Sequence, residues 1–466
     1  MSRDMSVIFP PAIEPAAQAP PAVASEMTTG FAWTADKLRV WGMKSALSLI
    51  DQGLTSAAGF GVNLFLARWM SADAYGAFAL AFAGFLFVSG FHNVLLLEPL
   101  SVMGPSRHAT NLPAYFRAQL AVHAVLVGTL SLVVLLPGLV FWRLAPQNPL
   151  AGAIIGSGIV LPFLLLLWLV RRMCYIMQQP SAAVPGSGFY FTFILGGLFV
   201  LRHFGRVSPF TAFLLMGCGS VLGTFILVRR LGMMKRKAAM SSPVSWRAAL
   251  RENWTYGRWL VGSTILSFLS NQTQIFVLAG LVGLGAAGVL RAMQIPSLVM
   301  TQINTAIALL VLPAFSFDFG RGLTDKLRRK AAIVSMGLGL AALVLVGFLA
   351  LFGREAEHVL FAGKYAAYAW LIPVLALAPV ANGFSSGFSM ALRASQKPHF
   401  DLIANAIAAP VGVLSAFLFM HWWGLAGAAA SMIVGFGVTS AVNYISYRNV
   451  IGHGRFEAAT QHGDPK

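Results

Sequence analysis

The stretch SALSLIDQGLTSAAGFGVNLFLA (residues 45–67), RWMSADA (68–74), YGAFALAFAGFLFVSGFHNVLLLE (75–98) decides the fold. Two apolar runs flank a short polar turn. Each run has about the 20 residues a helix needs to cross a hydrocarbon core of roughly 30 Å. Lipid offers the backbone no hydrogen-bond partners, so each run must satisfy its own as a helix, and the pair reads as a transmembrane hairpin.

The pattern recurs along the chain. Apolar runs fall at 45–67, 75–98, 119–142, 150–173, 184–201, 209–228, 259–281, 287–315, 331–352, 368–389, 402–420 and 424–447. The expected fold class is an all-α polytopic membrane protein with twelve transmembrane helices. The alternating ten-residue strands of a membrane barrel are absent. Of the 466 residues, 57% are hydrophobic and 10% charged, with mean hydropathy +0.74. A soluble domain carries about 25% charged residues, so a cytosolic enzyme, a secreted domain and a disordered chain are excluded. Residues 1–36 differ from the rest: they are Pro/Ala-rich without apolar period and read as a disordered cytoplasmic tail. Cys174 and Cys218 lie in apolar runs and form neither a disulfide framework nor a metal site.

The net charge of +18 matters through its placement. With a cytoplasmic N-terminus, 26 of the 33 Lys and Arg residues fall on inside segments. Six fall outside (Arg68, Arg143, Arg202, Arg206, Arg354, Lys364), and Arg291 lies inside a span. That asymmetry puts both termini in the cytoplasm and assigns the basic loops to topology and anionic headgroups rather than nucleic acid. The basic segment 229–258 is read as a linker between six-helix halves, 37–228 and 259–447, with a C-terminal tail at 448–466. Residues 67–78 can be laid on 279–290, matching Ala74 and Gly76 to Ala286 and Gly288. An even number of helices per half makes the repeats parallel, two pseudo-symmetric lobes around a central cavity.

Polar residues mark where that cavity lies, because lipid-facing polar groups are costly. Thirteen Asp, Glu, Arg, His, Asn or Gln residues fall in spans 1, 2, 7 and 8, against five in the other eight away from their basic ends. On span 8, Arg291, Gln294 and Gln302 share a helical face; on span 7, Thr264, Ser267, Asn271 and Gln274 do; on span 1, Asp51 lies with Gln52 at the edge. The candidate substrate-binding set is therefore Arg291, Gln294, Gln302, Asn271, Gln274 and Gln52. Arg291 is either a snorkelling anchor at the outer interface or an anion contact, since guanidinium pairs bidentately with phosphate. Asp51 is open among three roles: a proton or sodium coupling site, an ion-pair partner of Arg291, or a satisfied interior carboxylate. No metal ligands, P-loop or hydrolase elbow are present, so no cofactor and no catalysis are expected.

Leu64–Ala81, with Ala67-Arg68 and Tyr75-Gly76-Ala77-Phe78-Ala79, resembles the first hairpin of the polysaccharide transporter family. That family holds the O-antigen and exopolysaccharide repeat-unit flippases of the multidrug/oligosaccharidyl-lipid/polysaccharide superfamily. The resemblance implies a bacterial inner-membrane flippase that moves an undecaprenyl-diphosphate-linked oligosaccharide to the outer leaflet by alternating access. Its implied partners are the lipid-linked oligosaccharide, membrane lipids and polysaccharide polymerase or export machinery, and Arg291 matches by location the cavity arginines thought to meet the diphosphate. The rivals are a cation-coupled multidrug exporter of the same superfamily, with Asp51 as its ion site, and a membrane glycosyltransferase or polymerase. The exporter is disfavoured because a buried guanidinium repels a cationic ligand. The transferase is disfavoured because the longest outside loop, about 353–367, is too short for a catalytic domain.

Overall fold

The computed structural model describes residues 35–232, 244–395 and 399–452. Of the expected tails, 1–36 and 448–466, residues 1–34 and 453–466 lie outside these residues, while 35–36 begin a helix and Arg448–Gly452 form a π-helical turn. Every regular element among the described residues is helical. The first half comprises α1 (Ala35–Trp69), α2 (Ala72–His92), a π-helical turn (Asn93–Leu97), α3 (Glu98–Arg107), α4 (Leu112–Leu144), α5 (Pro149–Ile176), α6 (Pro180–His203) and α7 (Pro209–Arg230). The second comprises α8 (Trp246–Leu281), α9 (Leu284–Gln294), α10 (Leu298–Gly320), α11 (Thr324–Phe361), α12 (Leu371–Leu375), α13 (Leu377–Ala394) and α14 (His399–Tyr447). The chain divides into two compact units, Met1–Leu47 and Ser48–Lys466.

Ten helices among the described residues are long and apolar enough to cross a membrane. The ten differ from the twelve expected spans at two places. The last of the ten covers Leu402–Ile451, twice the usual length, and is broken at Gly424, whose φ of +52° only glycine adopts readily. α1 is 35 residues long but is not among the ten, and it carries Asp51, Gln52 and Asn63.

Prolines break some helices and not others. Pro296 sits in a 3₁₀ turn, Ile295–Ser297, between α9 and α10, so the eighth apolar run bends midway. Pro162 lies inside α5 without breaking it. Lacking an N–H, it leaves the Gly158 carbonyl short of its intrahelical donor, and the Ser131 hydroxyl of α4 donates there instead at 2.6 Å. Pro410 is likewise carried within α14.

Within the first half α5 packs against α2, α4 and α7, with α6 on α7; within the second, α13 packs against α10, α11 and α14, and α8 against α14. The halves meet where α2 packs on α9 and α8, and where α8 runs along α4 and the π turn. Residues 246–258, read from the sequence as linker, form the first turns of α8 and dock on the first half. Asn253 and Gln119 exchange two amide hydrogen bonds of 2.8 and 3.0 Å, and Glu252 pairs with Arg107 and His108 at 3.2 and 3.1 Å.

The α2–α9 contact is reciprocal. A Cβ on Gly76 would lie 1.8 Å from the Leu284 carbonyl oxygen, and one on Gly288 would lie 2.2 Å from that of Ala72. Ala72 and Gly76 fall on Leu284 and Gly288 when 67–78 is laid on 279–290, so equivalent residues make equivalent contacts. Backbone-to-backbone approach this close demands glycine at both crossing points.

Candidate substrate cavity

α8 presents its polar face to two cavities that share Asn271 and Gln272. The first, about 340 Å³, is bounded by Gln274 of α8, Arg291 and Gln294 of α9, Thr301 of α10 and Asn382 of α13. The second, about 650 Å³, lies between α8 and the α2–π segment, with Thr264, Ser267, Asn93, Glu98 and Arg393 on its walls. Thr264, Ser267, Asn271 and Gln274 therefore line the polar route as the single helical face read from the sequence.

Arg291 is half-buried, and its Nη1 donates to Gln294 Oε1 at 3.3 Å. Gln294 Nε2 in turn faces the Met432 sulfur at 2.9 Å. The amide thus orients the guanidinium without neutralising it, and no carboxylate pairs with Arg291 among the described residues. A guanidinium so held has donors to spare for an anion, beside amides that can both donate to and accept from hydroxyls.

Four of the six candidate binding residues, Arg291, Gln294, Asn271 and Gln274, meet around the first cavity. Gln302 and Gln52 do not. Gln302 is exposed, directly after the wall residue Thr301 but turned about 100° round the helix from it, and accepts a hydrogen bond from Ser56 of α1 at 3.2 Å. Gln52 is exposed on α1 and borders neither cavity.

Asp51 is fully buried, and its partner is Arg171 of α5 rather than Arg291. Its Oδ2 accepts from Arg171 Nη2 and from the Tyr175 hydroxyl, each at 2.5 Å. Arg171 lies within the fourth apolar run, 150–173, but falls at its basic inner end and was counted with the inside charges, whereas α5 carries it as a helical residue up to Ile176.

Arg393 was missed through a helix end. It follows the tenth apolar run, but α13 extends through Ala394 and carries it to the cavity wall. A signal was present: Asn382, Ser386, Ser389 and Arg393 recur at helical spacing on one face.

With this geometry in hand, comparison with known proteins is informative. A family model described as "Polysaccharide biosynthesis protein" matches residues 207–369, the stretch that contains Asn271, Arg291 and Gln294. None of the curated proteins matches the chain. Among solved structures, an inward-facing multidrug resistance MATE family transporter of the MOP superfamily superposes with TM-score 0.70 at 12% identity, covering 87% of this chain and 98% of that one. The lipid II flippase MurJ, in an inward closed conformation, superposes with TM-score 0.67 at 13% identity, covering 86% of this chain and 87% of that one. The chain shares the fold of these two proteins. An outward-facing MATE transporter of the MOP superfamily superposes less well, with TM-score 0.61 at 14% identity over 88% of this chain and 94% of that one.

Proposed function

We propose that this MOP-fold protein is an inner-membrane flippase that carries a polyprenyl-diphosphate-linked oligosaccharide from the cytoplasmic to the periplasmic leaflet. Two six-helix lobes, 37–228 and 259–447, alternate access around the polar route along α8. In this reading the membrane is spanned twelve times, with α1 as the first span and Gly424 as the break between the last two. Both termini are cytoplasmic, as the distribution of Lys and Arg requires. Polysaccharide polymerase or export machinery would take up the delivered glycan.

The observation that carries the reading is the unneutralised Arg291 beside a cluster of amides, within the segment that the polysaccharide family model matches. The guanidinium suits a diphosphate or an acidic sugar, and the amides suit sugar hydroxyls. A multidrug exporter has in its favour the high structural similarity to a MATE transporter. A fixed cation in the cavity argues against a cationic drug, whose charge would be repelled at close range in a medium of low dielectric.

The test is surface-glycan export in a strain deleted for this gene and complemented with the chain. Restoration by wild type and failure of an Arg291→Ala variant present at equal membrane level supports the reading. Normal glycan in the deletion strain, with raised sensitivity to cationic dyes, would replace it with drug export. Reporter fusions at Gly205 and Lys466 should read outside and inside respectively.

A further inference from the structure

At the end of the helices away from the basic linker, the second half reaches across to the first through more than glycines. α1 ends at Trp69, and its last carbonyls have no intrahelical donors. The Lys364 ammonium, from the loop after α11, donates to the carbonyls of Ala67, at 2.6 Å, and Met70. The Tyr365 hydroxyl adds a second bond to Ala67 O at 3.1 Å. Arg68 returns the contact by donating to the Val359 carbonyl of α11 at 3.2 Å. Lys364 is therefore a helix C-cap supplied by the other half of the chain, where a cation also meets the negative end of the α1 dipole. Its loop is itself held in place: the buried Glu357 carboxylate accepts the Tyr365 N–H at 2.7 Å, and the ammonium lies 4.6 Å from the Tyr365 ring centre. No carboxylate pairs with Lys364 among the described residues, so its donors are committed to carbonyls of the opposite half.

We propose that Lys364 is the latch of this end of the transporter: its bonds to Ala67 and Met70 hold the α2–α9 glycine contact shut and must break before the far side can open. The glycine contact contributes close packing but few directional bonds. The lysine cap contributes directional bonds that water can replace once the halves part, which is what a reversible closure needs. Lys364 is thus a gating residue and touches no substrate. The inference rests on the alternating-access part of the proposed function and is independent of what is carried.

The test is a spin-label distance measurement on the full chain in lipid nanodiscs, with labels at the exposed positions Phe204→Cys and Leu351→Cys, one per half, in a Cys218→Ser background. Lys364→Met should raise the long-distance population several-fold, and Lys364→Arg, which keeps the donors, should restore the short one. Gly76→Ala serves as a wedge, since its Cβ cannot coexist with the Leu284 carbonyl. If Gly76→Ala lengthens the distance and Lys364→Met leaves it unchanged, the latch is wrong while alternating access stands. If neither variant moves the distance, this end does not open, and the alternating-access reading fails together with the latch.

Discussion

The first hairpin of each half carries costly polar residues, but the two halves use them differently. In the first half Asp51 and His92 pair with residues of the same half, while Asn93 and Glu98 border the second cavity. Asp51 is bound by Arg171 and Tyr175, and His92 and His123 lie 3.2 Å apart, nitrogen to nitrogen. The direction of that histidine pair follows from its end. His123 Nε2 must donate to the Pro162 carbonyl at 3.1 Å, so its Nδ1 accepts from His92 Nε2–H, which leaves His92 Nδ1 without a partner. In the second half, Arg291 and the amides of α8 and α9 face a cavity. A closed network stabilises helix packing, whereas an open one can bind. The count of polar residues in the sequence does not distinguish them.

The sharpest way to break this comparison is to open the closed network. Arg171→Ala strands the Asp51 carboxylate in a buried site, and removing one partner of such a pair costs about 3–5 kcal/mol. Thermal unfolding in detergent should show a large fall in Tm for Arg171→Ala and a smaller one for Asp51→Asn, which keeps an acceptor for Tyr175. If Asp51→Asn instead leaves Tm unchanged and abolishes the response of transport to a proton or sodium gradient, Asp51 is a coupling site rather than a structural one.

Next in size is the loss at the open network. Arg291→Ala should lower affinity for an anionic substrate about ten- to a hundredfold, the equivalent of about 1.5–3 kcal/mol for a hydrogen bond to a charged group. Tm should stay within about 0.5 kcal/mol-equivalent of wild type, because no ion pair is broken. Arg291→Lys should fall between, since it keeps the charge and loses the planar fork. His92→Leu should cost about 1–3 kcal/mol by leaving His123 Nδ1 buried and unpaired, with substrate affinity unaffected.

The smallest expected effects concern exposure and pH. Gln52→Ala should change neither stability nor transport measurably, as an exposed side chain outside both cavities. Burial lowers the Lys364 ammonium from 10.5 to about 8 in the closed form. The charged or titratable groups beside it are Tyr365, Glu357 behind the Tyr365 N–H, and Arg68. Below about 8 the lysine is protonated whether the far end is closed or open, so closure is independent of pH through this group. Between about 8 and 10.5 the closed form sheds its proton first; the neutral amine keeps two N–H donors for the Ala67 and Met70 carbonyls and is spared the cost of burying a charge, so by linkage closure is favoured as pH rises. The spin-label distance distribution should therefore shift modestly toward the short population from pH 8 to 10, and Lys364→Met should abolish the shift. A shift toward the long population would contradict it.

The helical spans were legible because a hydrocarbon core sets a length and a composition that the sequence must meet. The alignment of 67–78 with 279–290 was legible as pattern, and its physical reason appears only in three dimensions, where Gly76 and Gly288 admit opposing carbonyls. The face of α8 was legible because four polar residues share a helical period. Helix ends were not: α13 outruns its apolar segment, so Arg393 was read as a loop charge, and Arg171, inside its run, was set aside as part of the run's basic end. The partner of Asp51 was hidden for the same reason, since pairing across 120 residues leaves no local trace. The π turn at Asn93–Leu97, which turns Asn93 Nδ2 toward Glu98 Oε1 at 3.0 Å, has no signature in composition or spacing.

The central claim is that the cavity around Arg291 receives the anionic part of a lipid-linked glycan. The most direct measurement is equilibrium binding of a polyprenyl-diphosphate-linked oligosaccharide to the purified protein in nanodiscs, with a cationic dye as the competing ligand. The account predicts that wild type binds the diphosphate lipid and not the dye, and that Arg291→Ala loses about ten- to a hundredfold in affinity while remaining folded. Unchanged affinity for the diphosphate lipid in Arg291→Ala, or preferential binding of the dye by wild type, would contradict it.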